Sequence, residues 1–313
     1  MKQVFLFAGQ GSQKAGMGKD FYETYDAYRQ VIDDADVSFD LKYMMHEAPL
    51  EELSQTENTQ PCMAAFAAGV LAVLKENGVV PEAACGLSLG EYGALHAAGV
   101  MDAKTYIKLT EFRGKVMTEA ARGTHTSMSA ILGADAKLVE NVCENCQDVG
   151  YVTVANYNCP GQYVICGEET AVSAVEAKLK EQGVRRTVRL NVSGPFHTKF
   201  MKPAGEALKA YFEKLEFQKP QIPVVMNVTG DFYKEEDDLK ELLVRQVQSS
   251  VQFEKSLEAF LEAGAEEFIE IGPGNTLSGF VKKAAKSMKK NISVHSIDCV
   301  ESLDAYLSKT HNL

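Results

Sequence analysis

The sequence predicts an α/β fold, in which a large domain with a mostly parallel sheet flanked by helices carries a small inserted domain. In the first and last thirds of the chain, short apolar runs alternate with helix-length amphipathic runs, which is typical of parallel sheets covered by helices. Between about residues 126 and 192 the predicted order becomes β-α-β-β-α-β, the split βαβ unit of ferredoxin-like domains. We therefore predict a large domain from residues 1–124 and 194–313, and a ferredoxin-like small domain from residues 125–193.

The elements of the large domain follow from apolar periodicity and flanking turn residues. The predicted strands are 4–8, 83–85, 224–227, 267–271 and 293–297. The predicted helices are 21–35, 61–77, 89–98, 103–121, 200–212, 237–248, 253–263 and 276–288. Pro61 is placed in the first turn of its helix, where proline is favoured.

The small domain is predicted to contain four strands and two helices. The strands are 126–132, 151–156, 162–167 and 186–192, and the helices are 135–146 and 168–182. A turn at 156–161 is predicted to join the two middle strands. Its asparagines, Asn156 and Asn158, either donate hydrogen bonds into a cleft or serve as ordinary turn residues before Pro-Gly.

The composition excludes several classes of protein. The chain has 313 residues, of which 45% are hydrophobic, so a substantial core can form. Its net charge of −11 argues against nucleic acid as the main partner, because neutralising phosphates requires a basic surface. There is no signal-peptide core at the N-terminus, and no run approaches the ~20 apolar residues of a membrane span. We therefore expect a soluble, cytoplasmic protein that binds no membrane.

The cysteines indicate free thiols and no metal centre. Seven cysteines are scattered along the chain, an odd number that suits a reducing compartment. Cys143 and Cys146 form a C-x-x-C, but no second Cys/His pair lies at zinc spacing, so no metal or redox site is predicted there.

The pentapeptide Gly86-Leu87-Ser88-Leu89-Gly90 has the pattern of a nucleophile elbow. It lies between a strand-like run and a helix-like run, the context in which Gly-x-Ser-x-Gly forms the elbow of α/β-hydrolase-like cores. Such a turn holds the Ser88 hydroxyl over the end of a strand and directs the Leu89 N–H at an oxyanion. The alternative is a plain strand-to-helix turn with serine as N-cap.

Arg113 occupies an unexpected position on the predicted helix 103–121. On a helical wheel it lies at the centre of the apolar face, opposite the charged residues. Burying a guanidinium is costly unless it meets an anion. Arg113 therefore either forms a structural ion pair with a carboxylate or binds a substrate carboxylate through its planar fork.

Two loops contain further candidates. Gln10 lies in the glycine-rich loop Gly9-Gln10-Gly11 after the first predicted strand, where backbone N–H groups can face an anion. A plain turn is the equal alternative. His197 lies on a loop at a helix start beside the predicted domain junction, which makes it the best candidate among six histidines for a general base. The alternative is an ordinary surface histidine.

Several motifs occur together in one order along the chain. They are Gly9-Gln10-Gly11-Ser12-Gln13, Gly86-Leu87-Ser88-Leu89-Gly90-Glu91-Tyr92, Arg113, Asn156-x-Asn158-x-Pro160-Gly161-Gln162, His197, Arg245-Gln246 and Glu270-x-Gly272-Pro273-Gly274. With these motifs the chain closely resembles the malonyl-CoA:acyl carrier protein transacylases of fatty acid synthesis. The resemblance covers essentially the whole length, including the small domain.

The resemblance implies a role for each matched residue. Ser88 would be the nucleophile that carries the malonyl group as an ester, and His197 would accept its proton. The backbone N–H groups of Gln10 and Leu89 would form the oxyanion hole, and Arg113 would bind the malonyl carboxylate. We expect Ser88, His197 and Arg113 to converge on one cleft.

Three further residues receive roles from the same resemblance. The main-chain carbonyl of Gln246 would hold the imidazole in its working tautomer, so that a Ser–His dyad replaces a triad. Asn156 or Asn158 would help to line the cleft. The family often has histidine before the nucleophile, where this chain has Leu87, and this departure is expected to alter pocket polarity without removing the chemistry.

The implied substrates are malonyl-CoA and the phosphopantetheine thiol of acyl carrier protein, with no cofactor and no metal. We expect a monomer. Alternatives are a free-standing acyltransferase of a polyketide pathway, a serine thioesterase or esterase, and a non-catalytic protein that binds acyl carriers.

Overall fold

The computed structural model describes residues 1–191 and 194–310, which form two compact units. The first contains Met1–Lys115, Glu216–Val225 and the described residues from Phe260 onward. The second contains the described part of Val116–Leu215 together with Met226–Ala259. The predicted domain limits remain a prediction, and the limit at residue 193 falls outside the described residues.

The strands and helices are named in chain order. The strands are β1 (Gln3–Phe7), β2 (Ala83–Gly86), β3 (Thr126–Leu132), β4 (Val152–Cys159), β5 (Gln162–Glu168), β6 (Arg186–Arg189), β7 (Val225–Met226), β8 (Asp231–Phe232), β9 (Glu267–Ile271) and β10 (Ser293–Ile297). The helices are α1 (Lys19–Thr24), α2 (Asp26–Asp33), α3 (Leu41–His46), α4 (Leu50–Leu53), α5 (Thr56–Glu76), α6 (Leu89–Ala97), α7 (Ala103–Ala121), α8 (Ala136–Glu144), α9 (Glu169–Glu181), α10 (Lys202–Phe212), α11 (Leu239–Gln246), α12 (Phe253–Glu262), α13 (Thr276–Ser287) and α14 (Val300–Thr310). A 3₁₀ helix, Lys199–Met201, precedes α10.

The first unit contains the predicted parallel sheet. Its strands lie in the order β10-β9-β1-β2, and all three neighbouring pairs are parallel. In the central strand β1, every residue from Val4 to Phe7 is buried, which explains why its sequence is a continuous apolar run. Because β1 and β2 are parallel neighbours, with Phe7 beside Gly86, the loops that follow them leave the same edge of the sheet.

Helix α5 differs from its prediction. It begins at Thr56 rather than at residue 61, so Pro61 lies inside the helix and not in its first turn. The early residues Thr56 and Gln60 are polar but buried, and both hydrogen-bond to distant parts of the same unit. We attribute the longer helix to these tertiary contacts, which offset the loss of one backbone hydrogen bond at proline.

Other differences involve short helices. The predicted helix 21–35 is divided into α1 and α2 at Tyr25, whose backbone is extended at φ −115° and ψ 121°. The elements α3 and α4 have six and four residues, too few to show helical periodicity in the sequence. Helix α14 was not predicted either.

The second unit contains the predicted ferredoxin-like arrangement. Its antiparallel sheet has the strand order β4-β5-β3-β6, and α8 and α9 pack against the strands and each other. Apolar residues of both helices and of the sheet form one core, including Ile131, Val139, Ile165, Val175 and Leu179. The end of the predicted strand 186–192 lies outside the described residues.

The hairpin between β4 and β5 is tighter than predicted. Asn156 and Asn158 lie in β4, and the turn consists of Pro160 and Gly161, the latter at φ 76°. Asn156 was predicted both to end the strand 151–156 and to begin the turn 156–161, and the strand assignment is the correct one; for Asn158 the predicted turn is wrong. The register of β4 shifts on either side of Asn156 and Tyr157, as in a β-bulge. Such an irregularity cannot be predicted from the alternation of apolar and polar residues along a strand.

Within the described ranges, the combination of length and apolarity that a membrane-crossing helix requires does not occur.

Candidate active site

Ser88 lies at a strained turn between β2 and α6. Its backbone adopts φ 54° and ψ −103°, a region that side-chain-bearing residues rarely occupy. A Cβ at Gly86 would lie 2.0 Å from the carbonyl of Gly90, and a Cβ at Gly90 would lie 2.0 Å from the carbonyl oxygen of Phe7. Glycine is required at both positions because the backbones approach so closely, which gives this turn the geometry of a nucleophile elbow.

The two predicted oxyanion donors lie at the same edge of the sheet. Leu89 is the first residue of α6, where N–H groups have no partner within the helix. Gln10 follows Gly9, whose Cβ, if present, would lie 2.5 Å from the carbonyl oxygen of Leu87. The loop after β1 therefore contacts the elbow, and Gln10 Nε2 donates to Thr56 Oγ1 at 2.9 Å.

Arg113 lies beside Ser88 in the first unit. Its Nη2 is 3.3 Å from Ser88 Oγ, and its Cζ lies 5.3 Å from the centroid of the Tyr92 ring. Only 1% of Arg113 is exposed, and this burial lowers its pKa, while Tyr92 and Glu91 act in the opposite direction. The wheel prediction of a buried arginine on the apolar face is confirmed.

Helix α5 holds the other side of the guanidinium. Gln60 Oε1 accepts a hydrogen bond of 2.9 Å from Arg113 Nη1. The two helices are in close contact there, since a Cβ at Gly114 would lie 2.9 Å from the Cα of Glu57. The contact of Gln60 with Arg113 is not predicted from the sequence. A signal was available, because Thr56 and Gln60 are polar residues four apart at the start of a run that is otherwise apolar.

His197 lies in the second unit in a backbone conformation as unusual as that of Ser88. Its φ is 60°, and its N–H donates to the Val247 carbonyl at 3.0 Å. Its Nδ1 is 2.8 Å from the main-chain carbonyl oxygen of Gln246. Because a carbonyl only accepts, Nδ1 carries the proton in the neutral ring, and Nε2 is left as the basic nitrogen.

Asn156 and Asn158 are buried on β4 in the second unit. On either side of Asn156, the Tyr157 N–H donates to Val251 and the Val251 N–H donates to Ala155, each at 2.9 Å. The Oδ1 of Asn158 is buried and has no hydrogen-bond partner among the described residues. A buried acceptor without a partner is costly.

The structure thus brings the candidate residues together in two groups. Ser88, Leu89, Gln10 and Arg113 lie in the first unit, whereas His197, Gln246, Asn156 and Asn158 lie in the second.

All seven cysteines are free thiols. Across residues 1–191 and 194–310, no group of three or more His, Cys, Asp or Glu side chains is placed to hold a metal ion.

Comparison with known proteins gives consistent results. Residues 4–300 match the family described as the acyl transferase domain. The chain is 41% identical over 303 residues to the malonyl CoA-acyl carrier protein transacylase of Bacillus subtilis strain 168, covering 96% of this chain and 95% of that one.

Solved structures are also similar over the full length. The malonyl CoA-acyl carrier protein transacylase of Clostridium perfringens ATCC 13124 superposes with a TM-score of 0.95 at 38% identity, covering 100% of this chain and 98% of the other. A malonyl-transacylase solved in complex with a type II PKS acyl-carrier protein superposes with a TM-score of 0.93 at 35% identity, covering 99% of this chain and 100% of the other.

Proposed function

Since the chain belongs to the malonyl CoA-acyl carrier protein transacylase family, we propose that it moves a malonyl group from coenzyme A to acyl carrier protein in fatty acid biosynthesis. The chain is an acyltransferase. The observation that carries the choice of acyl group is the 3.3 Å contact between Arg113 Nη2 and Ser88 Oγ. A buried guanidinium beside the nucleophile suits an acyl group that ends in a carboxylate.

In the first half-reaction, Ser88 Oγ attacks the thioester carbonyl of malonyl-CoA and its proton passes to Nε2 of His197. The N–H groups of Leu89 and Gln10 stabilise the oxyanion, where losing one donor typically costs about 2.7–4 kcal/mol. The intermediate collapses by breaking the C–S bond. The departing thiolate takes the proton from His197, which leaves malonyl as an ester on Ser88.

In the second half-reaction, the phosphopantetheine thiol of the carrier gives its proton to His197 and attacks the ester. The C–O bond to Ser88 breaks and the serine oxygen recovers the proton. Exchanging a thioester for an ester and back is nearly neutral in free energy, so the enzyme needs only to lower both barriers. The bond from His197 Nδ1 to Gln246 supports this cycle because it keeps Nε2 available for the proton.

The decisive experiment is intact mass spectrometry after incubation with malonyl-CoA, with and without carrier protein bearing its thiol. We expect a gain of one malonyl group that disappears when the carrier is added, with malonyl then found on the carrier. Steady hydrolysis without an acceptor would indicate a thioesterase or esterase. An unchanged mass would indicate a protein that binds carriers without catalysis.

A second candidate differs only in the carrier. One similar structure is a malonyl-transacylase in complex with a type II PKS acyl-carrier protein, which makes a polyketide carrier the second candidate for the acceptor. Comparing transfer rates to carriers of fatty acid and polyketide type under identical conditions would distinguish the two pathways.

We also propose that the protein works as a cytoplasmic monomer without a cofactor or metal. The support for the absence of a cofactor is chemical, since each proposed step uses only groups of the chain, of the malonyl-CoA thioester and of the carrier thiol. Light scattering would test the monomer, and unchanged loading in the presence of a chelator would test the metal.

A further inference from the structure

Glu270 is a buried carboxylate to which the proposed mechanism gives no role. It lies near the end of strand β9 and is 0% exposed. Its Oε1 accepts from the Leu277 N–H at 3.0 Å, and its Oε2 accepts from the Ser278 N–H at 2.7 Å. Both donors belong to the first turn of helix α13, so a side chain of the sheet holds the beginning of that helix.

This arrangement costs more free energy than an ordinary helix cap. The N-cap residue of α13 is Asn275, a residue type that commonly caps helices, yet its side chain makes no capping hydrogen bond. Glu270 acts as the cap instead and loses its contact with water. This burial raises the pKa of Glu270, while hydrogen bonds from Ser278 and Leu277 oppose the rise. What the carboxylate provides in addition to an ordinary cap is a connection between β9 and α13.

That connection closes the turn Gly272-Pro273-Gly274. Glu270 precedes the turn and Leu277 follows it, so the hydrogen bond between them joins its two ends. The turn is also held from β10 and from the residue after it. The Gly272 N–H donates to the Ile297 carbonyl at 3.3 Å, and the Gly274 N–H donates to Asp298 Oδ2 at 3.3 Å. The position of the turn is therefore fixed by four hydrogen bonds, two of which Glu270 accepts.

The closed turn lies against the loop that contains Gln10. A Cβ at Gly272 would lie 2.3 Å from the Cβ of Ala8, the first residue after β1. A Cβ at Gly274 would lie 3.8 Å from the end of the Lys14 side chain. The turn is thus next to this loop on both sides of Gln10, so that a shift of the turn would move the loop as well.

We propose that Glu270 is a positioning residue, which holds α13 to β9 and thereby fixes the loop that presents the Gln10 N–H to the oxyanion. It acts through the turn 272–274 and Ala8 rather than by contact with the substrate. This inference rests on the proposed acyl transfer, in which the Gln10 N–H is one of two oxyanion donors. The expected effect is on the chemical step, because the oxyanion forms only after the substrate has bound.

The test compares Glu270→Gln with the wild-type chain, using malonyl-CoA and acetyl-CoA as donors. Glutamine keeps the shape of the side chain but replaces one acceptor oxygen by an NH₂ group, which cannot accept from an N–H. The measured quantities are the KM of each donor, the melting temperature and the rate constant of acyl-enzyme formation at saturating donor. This rate constant comes from rapid-quench samples followed by intact mass, and it does not depend on the fraction of protein that is folded.

We expect Glu270→Gln to lower the saturating rate constant about tenfold or more, by the same factor for both donors. Each KM should stay within about twofold of the wild-type value. The factor is shared because the oxyanion is the same for both acyl groups, whereas a disturbed carboxylate receptor would slow malonyl loading alone. Glu270→Asp keeps the charge and shortens the side chain by one methylene. Its rate constant should lie between the other two, and it decides the question if Glu270→Gln does not fold.

Ser296→Ala is the matched control. Ser296 lies beside Glu270 on the neighbouring strand β10, and its hydroxyl shares a 2.8 Å hydrogen bond with the hydroxyl of Ser278. The variant removes this bond at the beginning of α13 and keeps both N–H groups from which Glu270 accepts. It should therefore lower the melting temperature and leave the saturating rate constant unchanged.

A wild-type rate constant in folded Glu270→Gln, or an equal loss in Ser296→Ala, would overturn this inference alone. A higher KM at an unchanged rate constant would also overturn it, since a misplaced oxyanion donor does not weaken binding of the donor thioester. A wild-type chain that neither thioester acylates would overturn the proposed function, and this inference with it.

Discussion

Arg113 Nη2 lies 3.3 Å from Ser88 Oγ, although the two residues are 25 positions apart in the chain. One belongs to the helix that follows the elbow helix, and the other belongs to the elbow itself. Their contact means that an acyl group attached to Ser88 would have a guanidinium beside it. We therefore predict that the charge of the acyl group decides how efficiently it is loaded onto Ser88.

Replacing Arg113 by alanine tests that conclusion directly. We expect malonyl loading to fall by at least about 30-fold, because removing one partner of a buried, hydrogen-bonded charge pair costs about 2–5 kcal/mol. Acetyl loading should fall far less, since acetyl has no carboxylate. The measurement is the rate of acyl-enzyme formation with each donor, and equal losses for both would contradict the role of Arg113 as carboxylate receptor.

The backbone strain at Ser88 predicts a separation of stability from activity. At φ 54° and ψ −103°, glycine is much better tolerated than any residue with a Cβ. The free energy of unfolding of Ser88→Gly should therefore exceed that of Ser88→Ala by about 1 kcal/mol. In a denaturant titration, Ser88→Gly should unfold at the higher concentration. Both variants should lose labelling by malonyl-CoA. Labelling that persisted in either would exclude Ser88 as the nucleophile.

The sequence predicts a structural feature best where the residues of a single strand, helix or turn determine that feature. The buried strands of the parallel sheet were located because a central parallel strand must be apolar along its length, as β1 is from Val4 to Phe7. Arg113 was identified because a charged residue in the middle of an apolar helix face conflicts with the local pattern. The elbow was recognised because its glycines and serine occupy a strand–turn–helix context.

The sequence was least informative where two distant segments meet. The contact between Gln60 and Arg113 joins residues 53 positions apart, and the start of α5 was placed too late to include Gln60. The bond from His197 to Gln246 spans 49 positions and uses a main-chain carbonyl, which leaves no signal in residue type. The sequence places Asn158 in a turn because Pro160 and Gly161 dominate the local pattern, whereas it lies in β4.

His197 and Gln246 should respond differently to truncation, although they share a hydrogen bond. His197→Ala should slow malonyl loading by about 10²–10⁴-fold, the usual contribution of a positioned general base. Gln246→Ala keeps the main-chain carbonyl that accepts from Nδ1, so loading should stay within a few-fold of wild type at temperatures where the variant is folded. A loss in Gln246→Ala as large as that in His197→Ala would show that the side chain is the essential group.

Glu111 should make the stability of the first unit depend on acidic pH. This carboxylate is 2% exposed on α7, two residues before Arg113, and accepts from the Ser38 N–H at 2.9 Å and from Lys115 at 2.8 Å. Burial alone would raise the pKa of Glu111, but Lys115, Ser38 and Lys108 lower it to about 2. The folded pKa is thus below the unfolded value of about 4.3.

Because the pKa is lowered on folding, the stabilisation is complete above the unfolded pKa and is lost as pH falls from about 4.5 towards 2. We expect Glu111→Gln to reduce the free energy of unfolding by about 1–3 kcal/mol at pH 7, with the difference from wild type shrinking below pH 4. Glu119→Gln on the same helix is the control, since its pair with Arg122 is exposed and should contribute less than about 1 kcal/mol. A pH-independent difference for Glu111→Gln would contradict this assignment.

Asn158 offers a test in which stability and activity should change in opposite directions. Its Oδ1 is buried without a hydrogen-bond partner among the described residues, so the amide costs the folded protein free energy. Asn158→Leu removes that acceptor and keeps the branched shape of the side chain, so it should preserve or raise the free energy of unfolding by up to about 1 kcal/mol. If the amide binds a polar atom of the substrate, the same change should slow malonyl transfer about tenfold.

Asn141→Leu, at an exposed position of α8, controls for the effect of the substitution itself. Greater stability with unchanged transfer would remove Asn158 from the site, whereas greater stability with slower transfer would show that the orphan acceptor is kept for its substrate.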